Sequence, residues 1–155
     1  RDGVAREESV HLRVFPQVSV DWRNPALAAR WSKIRQLRRV VTGALELERK
    51  EKRIRSSLQA APKVFVGDGS WQDAVAGLDF ADICITSDIE LCEDVAPDGA
   101  FSLEEVPGVA ALVVPAEGEK CERCWKVLPE VNSVNTVPDT CQRCAAVVGD
   151  LQAAQ

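Results

Sequence analysis

The chain contains no methionine, a single histidine, and no apolar run long enough to cross a bilayer. Methionine is missing even at position 1, so the sequence reads as a piece of a longer protein. Catalytic residues absent here are then expected upstream in the parent. The one histidine, His11, is isolated and reads as a surface or packing residue, not as a zinc ligand or catalytic group. No secretory signal is visible, which argues for a cytoplasmic setting with reduced thiols and no membrane partner. Residues 66–105 lack Lys and Arg altogether and hold eleven Asp and Glu. Residues 30–55 reverse the balance, with ten Lys and Arg against three Glu. The net charge of −5 argues against a general nucleic-acid binder, yet the split places one basic face beside an acidic neighbour.

Against these absences stand six cysteines. Four of them form two C-x-x-C pairs, Cys121/Cys124 and Cys141/Cys144, separated by sixteen residues. That spacing suits a four-thiolate zinc site, because each C-x-x-C turn brings two sulfurs to one side of a loop. Disulfides or a redox dithiol are the rival readings, and neither explains two matched pairs. Four thiolates leave no open position for water, so the expected Zn2+ is single and structural. Cys84 and Cys92 lie outside knuckle spacing and read as small buried apolar side chains.

The expected architecture is mixed α and β in three parts. Residues 1–60 form a helical segment, residues 61–116 a small α/β unit, and residues 117–155 a four-cysteine zinc ribbon. Val10 to Phe15 reads as a short extended segment ending at Pro16. A long helix starts with Asn24 as N-cap and Pro25 at its first position. Its apolar face is Leu27, Trp31, Ile34, Leu37, Val41, Ala44 and Leu45, and it runs to about residue 52 across Gly43. Arg38 falls within that stripe. It either pairs at the core edge or reaches a buried acceptor or phosphate.

The basic run Arg49 to Arg55 is a solvated helix end or a phosphate-facing surface. Beyond Pro62, strands are expected at Lys63–Val66, Phe80–Thr86 and Val109–Val114, with a short helix capped by Ser70 between the first two. Val131 to Val137 suits a hairpin with Asn-rich turns, and Ala145 to Ala154 a terminal helix or a frayed tail. The last forty or so residues bury too little apolar surface to fold unaided. Structural zinc supplies an apparent ~10–16 kcal/mol in comparable peptides.

The stretch Gly118-Glu-Lys-Cys-Glu-Arg-Cys-Trp125 resembles the opening of the C-terminal zinc finger of bacterial isoleucyl-tRNA synthetases, and Cys141-Gln-Arg-Cys144 resembles its close. Ser9-Val-His-Leu12 with Phe15-Pro16, Leu37 to Glu46, and Lys52 to Ala60 resemble further motifs of that family, in the same order. Arg55 and Gln59 depart from its usual Gly and Glu. The finger also resembles that of formamidopyrimidine-type DNA glycosylases. Here Val131 to Thr140 lacks the Arg used for base-pair reading, so no specific DNA partner is expected.

The synthetase resemblance implies the end of an anticodon-binding domain followed by a zinc finger. It implies tRNA(Ile) and the remainder of the synthetase as partners. In the parent, a class I ligase of protein biosynthesis, isoleucine is activated with ATP and joined to its tRNA. Neither H-I-G-H nor K-M-S-K-S is present, so no catalytic residue is expected in this chain. Arg123, Trp125, Lys126 and Arg143 beside the ligands, and Lys33, Arg35, Arg39 and Arg53 on the helical part, are the candidate tRNA contacts. Trp125 alternatively packs over the knuckle, and Arg123 and Arg143 alternatively compensate the thiolate charge. A purely structural module and a DNA-repair finger are the rival functions.

Overall fold

The computed structural model describes residues 9–153. The first eight residues of the expected helical part and Ala154 of the expected terminal helix lie outside the described residues. Helix α1 spans Pro25–Lys50. The Asn24 side chain accepts the Leu27 N–H at 2.9 Å, and Pro25 follows the cap because its missing N–H is not needed there.

The inner face of α1 is Ile34, Leu37, Val40, Val41, Ala44 and Leu45, all buried. Leu27 and Trp31, expected on the same face, are instead 47% and 37% exposed. Length explains the difference. A helix of 26 residues extends about 39 Å, whereas four-residue strands extend about 13 Å, so the first turns overhang the sheet.

The sheet has the order β2-β1-β4-β3, with β1 at Lys63–Val66, β2 at Glu90–Cys92, β3 at Phe101–Ser102 and β4 at Val109–Leu112. β2 runs parallel to β1, while β4 is antiparallel to both β1 and β3. The parallel pair requires a crossover, which α2 (Gly69–Val75) and α3 (Phe80–Cys84) supply. Val64 and Val66 turn toward the helices and join the α1 residues in one core with Val109, Ala111, Val75 and Phe80. Helix and sheet therefore share a core. Gly43 has a packing role in it, since a Cβ at that position would overlap the ring of Phe101.

Several local expectations are corrected. Phe80 to Thr86 is helix α3 followed by a turn, not a strand. Asp79 caps it, accepting the Asp82 N–H at 2.8 Å, and Phe80, Ala81 and Cys84 bury one helical face. Such a short apolar run fits strand or helix alike by periodicity. Ile85 then adopts φ 60°, and the bonds Ile85 N–H to Asp82 O and Thr86 N–H to Ala81 O close the helix. This is a Schellman ending with isoleucine where glycine is usual.

Asp68, not Ser70, caps α2, accepting the Ser70 N–H at 2.8 Å. Val10–Leu12 is a 3-10 turn, not an extended segment, closed by the Leu12 N–H on Ser9 O. Arg38 pairs at the core edge, donating from Nε to the Ile83 carbonyl at 2.9 Å. Cys84 and Cys92 are buried free thiols, and burial pushes Cys84 up to about 12.

Candidate metal centre

The ribbon starts with strands β5 (Glu119–Lys120) and β6 (Val127–Leu128), which pair antiparallel around the first C-x-x-C turn. Gly118 makes the entry possible. Its φ is 111°, and a Cβ there would run into the Leu128 backbone. Between β5 and β6 the Trp125 N–H donates to Cys121 O at 2.8 Å and the Cys121 N–H to Lys126 O at 2.9 Å. Closing so tight a turn puts Trp125 at φ 66°. The second pair sits at the start of helix α4 (Gln142–Ala153), where the Ala145 N–H donates to Cys141 O at 2.9 Å.

The intervening loop is a chain of turns, not the expected hairpin at Val131 to Val137. Asn132, at φ 68°, closes it with both ends of its side chain. Its Nδ2 donates to Glu119 Oε2 at 2.8 Å, and its Oδ1 accepts the Asp139 N–H at 2.6 Å. A further bond from the Glu122 N–H to Asp139 O at 2.9 Å ties the two knuckles directly.

All four Sγ atoms lie within 4.8 Å of one another, and every cysteine is a free thiol. Metal–sulfur bonds of about 2.3 Å in a tetrahedron imply sulfur–sulfur edges of about 3.8 Å. Cys124 and Cys141 are 3.8 Å apart. Burial raises the Cys121 thiol, but N–H groups of Cys124, Cys141 and Arg123 outweigh it and bring the thiol down to about 6. Cys141 is driven the other way, to about 12, by burial and by its sulfur neighbours. Cys121 is thus favoured as an anion, while Cys141 is not unless a cation joins the cluster. A divalent, thiophilic ion is what this donor set fits. Zinc, when bound, supplies the charge that lets all four sulfurs be thiolates. Leu128 and Val131 pack on the sulfurs and shield them.

The other anticipated contact residues do not converge on one surface with equal freedom. Trp125 is 62% exposed, with Lys120 Nζ 5.8 Å from its ring centroid. Arg123 is exposed and donates to Cys144 Sγ at 3.8 Å. Lys126 and Arg143 both turn to Asp82 of α3, at 2.5 and 3.1 Å. Lys33 sits over Trp71 at 5.6 Å, Arg39 faces Glu105 at 3.9 Å, and Arg53 grips Glu48 through two bonds of 2.6 and 2.8 Å. Arg35 is exposed.

Two residues that the sequence did not single out reach the ribbon: Asp82 lies between Lys126 and Arg143, and Ser87 Oγ accepts the Val127 N–H at 2.7 Å. Asp82 lies in the stretch without Lys or Arg, whose partners had to come from elsewhere in the chain, and only that shortage hinted at it. Ser87 carried no signal.

A four-cysteine cluster on two knuckles, with a short hairpin and a closing helix, defines a zinc-finger class. Residues 118–147 match the family described as "Zinc finger found in FPG and IleRS". The likeness extends well beyond the finger. The chain is 47% identical over 152 residues to the isoleucine–tRNA ligase of Brucella abortus biovar 1 (strain 9-941), covering 98% of this chain and 16% of that protein. The ligases of Agrobacterium fabrum (strain C58) and Bartonella henselae are each 49% identical, over 146 and 144 residues, covering 94% and 93% of this chain and 15% of their own lengths. The chain thus belongs with the C-terminal region of the isoleucine–tRNA ligases and spans about a sixth of the relatives it matches. No helix among the described residues is long and apolar enough to cross a membrane.

Proposed function

We propose that the chain is the tRNA-contacting part of an isoleucine–tRNA ligase, with Cys121, Cys124, Cys141 and Cys144 holding one structural Zn2+. The parent is a cytoplasmic class I enzyme that joins isoleucine to its tRNA with ATP. This chain supplies no catalytic residue and is inactive alone. Its partners are tRNA(Ile) and the remainder of the synthetase. Residues 1–60 close the helical anticodon-binding part, 61–116 form the α/β junction, and 117–155 form the finger.

The observation that carries this reading is Trp125. A large aromatic ring stands 62% exposed on a left-handed turn whose backbone the adjacent knuckle holds, with Lys120 Nζ 5.8 Å from its centroid and Arg123 two residues before it in the chain. A ring fixed in this way suits stacking on an unpaired base, and the cations suit its phosphates. Arg35 on α1 is the freest of the helical candidates. Lys33, Arg39, Arg53, Lys126 and Arg143 reach RNA only by sharing or leaving a partner inside the chain.

Titration of the zinc-loaded chain with isoleucine tRNA and with an unrelated tRNA tests this reading. Preference for the isoleucine tRNA is expected, weakened about fivefold or more by Trp125→Ala, since one stacked base is worth about 1–3 kcal/mol. Equal, salt-sensitive binding to both tRNAs would defeat specific readout. The competing reading, a structural module that orients the parent's helical domain, is favoured by how many of the cations are engaged internally. It expects no effect of Trp125→Ala on tRNA affinity.

A further inference from the structure

We propose that Asp82 and Ser87 form a latch that seats the four-cysteine ribbon on the α/β unit and couples that seating to metal occupancy. The inference rests on reading the four cysteines as the metal site.

The ribbon and the α/β unit have separate apolar cores. One is built on α1, β1 and β4, the other on the four sulfurs with Leu128 and Val131. The named bonds that join them are polar. Asp82 lies between Lys126 Nζ at 2.5 Å and Arg143 Nη1 at 3.1 Å. The Val127 N–H donates to Ser87 Oγ at 2.7 Å, and Ser87 in turn donates its hydroxyl proton to the Leu58 carbonyl at 2.5 Å. Ser87 is 4% exposed, so its bonds are made out of water's reach. The Lys126 side chain is 13% exposed, and a cation so covered depends on its carboxylate partner.

The two cations come from different knuckles. Lys126 follows Cys124 by two positions, whereas Arg143 lies between Cys141 and Cys144. They can meet one carboxylate only when the knuckles hold their present relation, which is the relation that brings four sulfurs within 4.8 Å. Asp82 therefore senses whether the ribbon is assembled. By linkage, a contact made only by the assembled ribbon must favour metal binding, and metal must favour the contact.

Charge alone predicts the opposite sign. A four-thiolate zinc centre is a net dianion, so deleting a nearby carboxylate relieves repulsion and tightens binding. The latch requires that the same deletion loosen it. The direction of the effect separates the two.

The test is chelator competition for zinc on the full chain, comparing the unsubstituted protein with Asp82→Asn, Asp82→Glu and Ser87→Ala. Asp82→Asn is expected to lower zinc affinity about tenfold, the scale of supporting contacts around metal ligands, with Asp82→Glu restoring most of it. Ser87→Ala is expected to weaken zinc in the same direction and guards against a folding defect peculiar to position 82. Hydrogen exchange at the Val127 amide of the unsubstituted protein is a second readout. Protection is expected with zinc and is lost on stripping. Unchanged or tighter zinc in Asp82→Asn, or Val127 protection indifferent to zinc, overturns the latch while leaving the metal site standing. Failure of the unsubstituted protein to bind zinc overturns both.

Discussion

The ring of Phe101 on β3 lies over Gly43 in the middle of α1, where a Cβ would overlap the ring's far edge. The helix accepts a poor helix former so that a strand of the sheet can close on it. Gly43→Ala sets two effects against each other. Helix propensity gains about 1 kcal/mol, and overpacking costs about 2 kcal/mol. A net loss of about 1 kcal/mol is expected in urea unfolding, and a gain would show that Phe101 simply moves aside.

Gly118 and Gly77 both carry positive φ, at 111° and 73°, but only Gly118 faces backbone, that of Leu128 and Pro129. Alanine at 118 is expected to cost roughly 2–3 kcal/mol and to open the β5–β6 hairpin. Alanine at 77 meets open space and should cost less than half as much. Comparing unfolding midpoints of the two variants decides whether the collision, rather than φ alone, matters.

Leu37 is fully buried between α1 and the sheet. Leu37→Ala is expected to lower stability by about 2–5 kcal/mol through lost burial and a residual cavity. Because the ribbon has its own core, zinc content in the folded fraction should stay the same. A parallel loss of zinc would mean that the two cores are not separable.

Stripping the metal, or substituting Cys121→Ser, should unfold the ribbon and leave α1 on its sheet. The far-ultraviolet helical signal is then largely kept, while Trp125 loses its asymmetric environment and near-ultraviolet signal. Retention of the full near-ultraviolet spectrum after Cys121→Ser, with one zinc still bound, would remove Cys121 from the ligand set.

Glu48 is held below the ordinary glutamate range by its hydrogen bonds from Arg53, against a smaller opposing effect of burial. The sign follows from the depressed value in the folded state. The pair's contribution is complete above the unfolded pKa, about 4.3, and is lost as pH falls through the lowered folded value. Carboxyl titration followed by NMR should place Glu48 below the ordinary glutamate range, and Arg53→Ala should raise it.

The parts of this fold that were legible in sequence share one property: their signal is local. Asn24 and Pro25 mark the start of α1 because capping is settled within a few residues. The cysteine spacing marks the cluster because each knuckle is a single turn. What was illegible depends on distant partners. Phe80 to Cys84 has strand-like composition and becomes helix because Asp79 caps it and its buried face meets α1. Trp31 looked like core and is partly exposed because nothing in its own neighbourhood reports where the sheet ends. Lys126 and Arg143 read as free cations because Asp82 is more than forty residues away in the chain.

Ser87 receives a bond from Val127 and gives one to Leu58, so one hydroxyl touches the turn after α1, the turn after α3 and the start of β6. A hydroxyl has one proton and two lone pairs, so this oxygen gives its proton to Leu58 and accepts from Val127 at the same time. The ribbon's seat is therefore held from its far side as well, since the hydroxyl that receives Val127 is oriented by Leu58. A disturbance in the turn after α1 thus has a route of two hydrogen bonds to the strand beside the first knuckle.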